Sequence, residues 1–284
     1  MSEVKRITLY SAIDSPFPHR VRLALEEAGA RYDTIWIDLM NKEGWYEEKV
    51  NPAGGKVPLL VYGGRELRPD EAPSAEAVKI PESLVILEFL ADLFPDANLL
   101  PTDPVLRARI RLWNTSVDAK LPKGLLGFLF LGEPLESILG LLEEFQAMLP
   151  PTGFVAGEWS IADAAFIPIL ARLRLMLETG LGNFTPEVAQ AGVEALHSPR
   201  FARLQRYYED IAARPSMSKT WNEVSNLHVY FQCHPAKQVA IAQEEMKVTT
   251  VRRMDRFRRT GIVTSDLRVS VPSPLAYKSQ PLSR

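Results

Sequence analysis

Three short turns in this chain gather residue types that can hold an anion or a peptide-like ligand. The first is Asp14-Ser15-Pro16-Phe17-Pro18-His19-Arg20. Pro16 suits the first position of a helix, which makes Ser15 the natural N-cap, and capping can be the whole role of such a pair. A hydroxyl in that place also meets the backbone N–H groups and the positive dipole end that favour an anion, so Ser15 could donate a hydrogen bond to a bound thiolate. His19 follows one turn later, but neither a G-x-S-x-G elbow nor a third orienting residue accompanies it, which argues against a hydrolytic Ser-His pair.

The second turn is Lys56-Val57-Pro58. An X-Pro bond entering a strand can be an ordinary trans edge stop, or it can be cis and present the Val57 N–H and C=O to an extended ligand as an added strand. The third is Pro81-Glu82-Ser83, where Ser83 can cap a helix, or a carboxylate beside a hydroxyl and free N–H groups can hold an amino-acid head.

Elements that could position these turns are readable on either side of them. Arg6 to Tyr10 and Tyr32 to Asp38 read as strands, and Val21, Leu23, Ala24, Leu25 and Ala28 between them recur at helical spacing and stop at Gly29. A short helix near Gly44 to Val50, a strand Pro58 to Tyr62, a strand Val78 to Ile80 and a helix Ser83 to Phe94 complete the order βαβαββα. Pro69 and Pro73 mark Gly63 to Ala77 as a surface loop. All three turns then fall at one end of one sheet.

After the proline-rich joint FPDANLLPTDP the pattern turns wholly helical, with apolar residues three and four apart over Val105 to Lys120, Leu135 to Leu149, Ile161 to Leu177 and Phe201 to Ala213. The fold class is α/β plus all-α, with an N-terminal domain over 1–94, a linker over 95–102 and a helical domain over 103–224. Residues 1 to 224 carry 23 basic and 31 acidic side chains, net -8, whereas 225 to 284 carry 10 and 4, net +6. That basic tail, 225–284, reads as mostly disordered beyond a helix near 235 to 259; a basic amphipathic helix for an acidic partner is the alternative.

The whole chain of 284 residues has a formal charge of -2 and 46% hydrophobic residues, which excludes wholesale disorder and offers no global field for nucleic acid or an anionic membrane. No apolar run approaches the roughly 18 residues of a bilayer span, and MSEVKRITLY lacks a signal-peptide core, so a cytoplasmic protein is expected. Cys233 stands alone and the four histidines are scattered, so neither a disulfide framework nor a metal site is expected.

The segments SPFPHRVRLALEEAG, NKEGWYEEKVNPAGGKVPLL and PESLVILEFLADLFP, followed by GEWSIADAAFIPIL, resemble a cytosolic glutathione transferase over about residues 5 to 221. The NK-x-x-W-Y segment and the SPF turn are most similar to the omega class, its fungal members in particular, and next to the tau class. The resemblance implies a thioredoxin-like first domain, an all-helical second domain, glutathione as co-substrate with no metal, and a homodimer. It implies roles for residues too: Ser15 catalytic; Phe17 an aromatic wall; Val57 a backbone clamp on the cysteinyl part of glutathione; Glu82 and Ser83 the γ-glutamyl site; Lys42 and Lys56 near the glycine carboxylate. Ser160 and Asp163 match the S-x-x-D box that opens the buried helix, a folding role.

Omega enzymes usually carry cysteine where this chain has Ser15, so mixed-disulfide chemistry is not expected here. Activation of glutathione by a serine hydroxyl and its conjugation to hydrophobic electrophiles, a detoxification chemistry, is the expected activity. A weakly catalytic carrier of apolar small molecules on the same fold is the alternative. Trp113, Leu125, Phe128 and Trp221 are expected to border an apolar pocket near GLLGFLFLG, or else to pack as core. If Ser15 stabilises the thiolate, Ser15→Ala lowers turnover far more than glutathione affinity in steady-state kinetics; equal losses of both exclude the role.

Overall fold

The structure is a computed structural model, and it describes residues 3–52, 54–221, 223 and 226. Four strands, β1 (Ile7–Ser11), β2 (Asp33–Trp36), β3 (Leu59–Tyr62) and β4 (Val78–Pro81), form one sheet in the order β2-β1-β3-β4. β1 runs parallel to β2 and antiparallel to β3, with Leu9 opposite Thr34 on one side and Leu60 on the other. The parallel pair requires a crossover, and α1 (Pro16–Glu27) supplies it. β4 lies antiparallel to β3, with Ile80 opposite Leu60. α2 (Ser83–Leu93) leaves its end directly. Each of these elements falls within a few residues of the expected span, and the short helix before β3 is a π-helical turn, Tyr46–Val50.

One face of the sheet buries Tyr10, Ile35, Ile37, Tyr46, Val50, Leu59 and Val61 in a single cluster. Gly55, in the loop leading to β3, has φ +58, and a Cβ there would come within 2.3 Å of the Glu47 side chain. The loop therefore needs a residue with no side chain at that point, where it closes on the π turn.

The helical part comprises α3 (Pro104–Phe130), α4 (Leu135–Met148), α5 (Ile161–Thr179), α6 (Pro186–His197), α7 (Ala202–Ala212) and α8 (Pro215–Thr220). α5 is buried from Ile161 to Leu177 at every position but Arg174, the pattern of a helix surrounded on all sides. Thioredoxin-like sheet and helical part together match the expected fold class. Three helical features differ from expectation. α3 does not stop near Lys120 but continues through Pro122 to Phe130, because Leu121, Leu125, Phe128 and Leu129 are buried beyond the proline and offset its cost of about 3 kcal/mol. α6 was not anticipated, because its buried stripe is Ala189, Gly192 and Leu196, too small a signal for a periodicity reading. α8 is a single short helix just before Trp221 and was missed for its length. The basic tail, its expected helix and Cys233 lie outside the described residues, save position 226. Among the described residues no helix is long and apolar enough to cross a membrane.

α5 begins with a complete capping box: Ser160 Oγ accepts from the Ala162 N–H, and the Asp163 carboxylate accepts from the Ser160 N–H at 2.8 Å. Asp163 is fully buried and also accepts from the Val155 N–H at 3.0 Å and the Tyr207 hydroxyl at 3.1 Å. Burial holds its carboxyl up at about 6, with these donors pulling the other way. Ser160→Ala removes one cap and is expected to cost about 1 kcal/mol in urea unfolding, whereas Asp163→Ala leaves four donors unmet, the Val155 and Ser160 N–H groups and the Ser160 and Tyr207 hydroxyls, and is expected to cost at least about 3 kcal/mol.

Candidate functional site

A cavity of about 600 Å³ opens at the end of the sheet where the three turns meet. Phe17, Asn51, Lys56, Val57, Pro58, Pro81, Glu82, Ser83, Leu84 and Asp118 line it. Five of the residues singled out in the sequence, Phe17, Lys56, Val57, Glu82 and Ser83, thus share one wall system. The volume falls in the ordinary range of small-molecule clefts, about 300 to 1,000 Å³.

Ser15 occupies the N-cap of α1 with extended backbone angles, φ -83 and ψ 131, yet its side chain makes no capping hydrogen bond. Asp103 and Thr185, at the starts of α3 and α6, do cap their helices. Ser15 is 8% exposed, and its hydroxyl has no partner among the described residues. Its carbonyl is held instead, accepting from Arg172 Nη2 at 3.1 Å. The capping reading of this serine therefore fails, and a free donor stands at the positive end of α1, two residues before the cavity-lining Phe17.

The Val57-Pro58 peptide is cis. The residue before Val57 is tied down twice: the Lys56 carbonyl accepts from the Tyr46 hydroxyl at 2.8 Å and from Asn51 Nδ2 at 2.9 Å. Tyr46 is buried against Tyr10, with ring centroids 5.5 Å apart. The core beneath the sheet thus positions the strand-like segment that faces the cavity. Neither Tyr46 nor Asn51 was found by sequence reasoning; the NPAGGKVP string held the only local signal, since Asn51 opens the turn it closes.

Glu82, not Ser83, is the N-cap of α2, and its φ of +66 with ψ 116 is an unusual conformation for a non-glycine residue. Such a residue costs on the order of 1–3 kcal/mol and is found where the surroundings impose it. The turn leaves Glu82 exposed and Ser83 buried at the first helical position. Ser83 Oγ accepts from Arg20 Nη1 at 3.1 Å, so its own proton is free for an anionic ligand. Arg20 is fully buried; it also donates to the Ala165 carbonyl at 2.9 Å and to Asp118 at 2.9 Å, and lies over the Phe17 ring at 5.0 Å. Burial pulls its guanidinium below the usual range, and the Asp118 bond opposes that. Arg20 and Asp118 were missed because they lie 98 positions apart in the chain and meet only through packing.

Lys42 is not among the lining residues: its ammonium pairs with Glu47 at 2.8 Å on the π turn. The four residues expected to border an apolar pocket lie on different faces and at different heights of the helical part. On α3, at about 100° per residue, Trp113 points some 140° from Asp118, while Leu125 falls within about 20° of it. Trp113 and Phe128 are also about 22 Å apart along the helix axis. Trp113 packs edge-on against Phe145 and Phe166, and Phe128 stacks on Phe184 at 5.0 Å. Trp221 stacks on His19 at 5.7 Å. Trp113 also lines a second, largely apolar cavity of about 510 Å³ with Leu106, Ile110 and Leu149, as expected of it singly, whereas Phe128 is packed as core.

His19 is fully buried one turn into α1, and its ring state follows from its neighbours. Arg172 Nη1 lies 3.3 Å from Nδ1 and can only donate, so Nδ1 accepts and Nε2 carries the proton toward Thr220 Oγ1 at 3.0 Å. The Thr220 hydroxyl passes its own proton to the Ser216 carbonyl at 2.8 Å. Burial, with Arg172 and Arg22 nearby, pushes the imidazole well below its ordinary value. The unfolded chain then binds a proton that the folded chain refuses, so this contribution to stability is whole above about pH 6.5 and is lost as pH falls from there. Nitrogen shifts of the His19 ring are expected to show the neutral Nε2–H form unchanged through pH 6; titration near 6.5 excludes this arrangement.

The description "Glutathione S-transferase, N-terminal domain" fits residues 14–93, the segment carrying all three turns. A probable glutathione S-transferase of Nicotiana tabacum is 32% identical over 170 residues, covering 58% of this chain and 69% of that one. The crystal structure of glutathione transferase Omega 1C from Trametes versicolor superposes with a TM-score of 0.76 at 42% identity, over 80% of this chain and 96% of that one. Omega 2S of the same fungus, in complex with 2,4-dihydroxybenzophenone, gives 0.73 at 45%, over 78% and 96%. A cavity built from the same three turns, on a sheet and helical part that superpose this far, has one reading: the chain belongs to the glutathione S-transferase family, whose co-substrate is glutathione, and fungal omega-class enzymes are among its structural neighbours.

Proposed function

We propose that this protein is a serine-type glutathione transferase that stabilises the thiolate of bound glutathione with the Ser15 hydroxyl and conjugates it to hydrophobic electrophiles. The observation that carries the reading is the N-cap hydroxyl of Ser15, which no backbone N–H claims. Glutathione would extend across the cavity with its γ-glutamyl head at Glu82 and Ser83, its cysteinyl part beside the Val57 backbone, and its glycine carboxylate toward Lys56. Lys42 approaches that carboxylate only by leaving Glu47. Residues 1–94 would hold glutathione and 103–224 the electrophile, in a cytoplasmic homodimer.

The magnitudes are sufficient. A free thiol of pKa about 8.5 is a few per cent ionised at pH 7, and a drop of two units needs about 2.7 kcal/mol in favour of the thiolate. One hydrogen bond to a charged group supplies about 1.5 to 3 kcal/mol and a helix N-terminus about 0.3 to 1. The thiol proton leaves to solvent; the thiolate sulfur then forms a C–S bond at the electrophilic carbon, whose leaving group departs with the displaced electron pair. Among the described residues no cluster of metal-ligating side chains accompanies the cavity.

The alternative, an apolar-ligand carrier with little turnover, draws on the benzophenone held by Omega 2S, a property of that protein. An ultraviolet difference titration of bound glutathione separates the two. A thiolate band well below the free thiol's pKa, moved upward in Ser15→Ala, is the expected result. Glutathione bound only as the thiol overturns the catalytic reading in favour of the carrier.

A further inference from the structure

Arg172 projects from α5 toward the start of α1 and is 5% exposed. Its five N–H donors all go to uncharged acceptors. Nε donates to the Asp14 carbonyl at 2.7 Å, and Nη2 to the carbonyls of Ile13 at 2.8 Å and Ser15 at 3.1 Å. Nη1 donates to the Pro168 carbonyl at 3.0 Å and to His19 Nδ1 at 3.3 Å, and Trp221 covers the guanidinium at 5.2 Å. A residue's backbone has two soft dihedrals, so its shape is set by the two peptide planes that flank it. The Asp14 and Ser15 carbonyls belong to the planes on either side of Ser15, and one guanidinium holds both. With both planes held, the direction in which the Ser15 Cβ leaves the chain is determined, and the hydroxyl is confined to the staggered positions about that bond.

We propose that Arg172 is a positioning residue for the Ser15 hydroxyl, aiming it at the ligand's sulfur by clasping the turn from behind. This rests on the serine reading above. A cation stripped of water is an expensive filler between two helices, and an apolar side chain of the same size would pack there at less cost. A planar fork of five donors, however, has no apolar equivalent. The cost is visible in the guanidinium itself, which burial draws down to about 9, with Arg22 on α1 adding to the effect and Asp14 opposing it. Neutral His19 fixes the fork's rotation from the opposite edge, and Thr220 on α8 fixes His19 in turn.

The test is the pKa of the thiol of bound glutathione, with kcat and KM, in the full-length protein and in Arg172→Lys, Ser15→Ala and the double variant. Lysine keeps a cation but not the fork. Arg172→Lys is expected to raise the bound thiol's pKa by about one unit and to lower kcat about fivefold at pH 6.5, with the KM for glutathione within about twofold. Added to Ser15→Ala, it should change nothing more, since it acts only through that hydroxyl. A lysine variant equal to the natural protein overturns the proposal, as does an additive effect in the double variant. A Ser15→Ala protein with an unmoved thiol pKa overturns the serine reading and this inference with it; a moved pKa there with an unmoved one in Arg172→Lys overturns this inference alone. Should Arg172→Lys fail to fold, Thr220→Val releases His19 from α8 and is expected to shift the thiol pKa in the same direction by a smaller amount; no shift overturns the proposal.

Discussion

The site depends on the burial of two guanidinium groups in the seam between α1 and α5. Each helix sends an arginine to the other's backbone: Arg20 of α1 donates to the Ala165 carbonyl of α5, and Arg172 of α5 donates to the carbonyls that lead into α1. A charge taken out of water needs its donors met within the protein. All five of Arg172 are met, and Arg20 uses Nε and Nη1, leaving its Nη2 without a partner among the described residues. A shift of either helix would therefore add to the unmet donors. The exchange makes the position of the first turn a property of helix packing rather than of the turn.

The same constraint reaches the third turn. Arg20 holds Ser83 Oγ and Asp118 with one nitrogen, which joins the start of α2, the middle of α3 and the start of α1 around the cavity. The second turn is held from the opposite side of the sheet, where Tyr46 and Asn51 fix the carbonyl before Val57. Three turns carried by different elements therefore share one frame, which leaves the Ser15 hydroxyl, the Ser83 proton and Arg20 Nη2 without partners among the described residues.

Much of this was legible in the chain. Alternating β-branched runs, a helix stopped at Gly29 and the three turns after β1, before β3 and before α2 are local features, and the structure has all of them within a few residues. The S-x-x-D spacing likewise marked the start of α5, since a capping box is contained in four residues. Other features exceeded local reach. The apolar spacing read as a helix to Lys120 runs on through Pro122 because Phe128 and Leu129 are buried, and α6 packs a glycine, Gly192, where a Cβ would stand 2.7 Å from Leu177. Aromatic residues on α3 carried no mark of which neighbour each would meet, so Trp113 and Phe128 were open to both a pocket and a core reading until the helix had its partners.

What this sequence determined alone was the place of three local features: a hydroxyl at a helix start, a backbone edge before a strand, and an acid and hydroxyl at a second helix start. Those are set by residue type and short-range backbone preference, which depend on a few consecutive positions. The tertiary structure alone decided that Ser15 would make no cap bond, that His19 would be buried between Arg172 and Thr220, and that Arg20 would meet Asp118 beside the cavity while Arg172 held the backbone of the first turn. Each of those outcomes turns on desolvation and on donors arriving from residues more than 90 positions away, and neither is encoded in any local window of the chain.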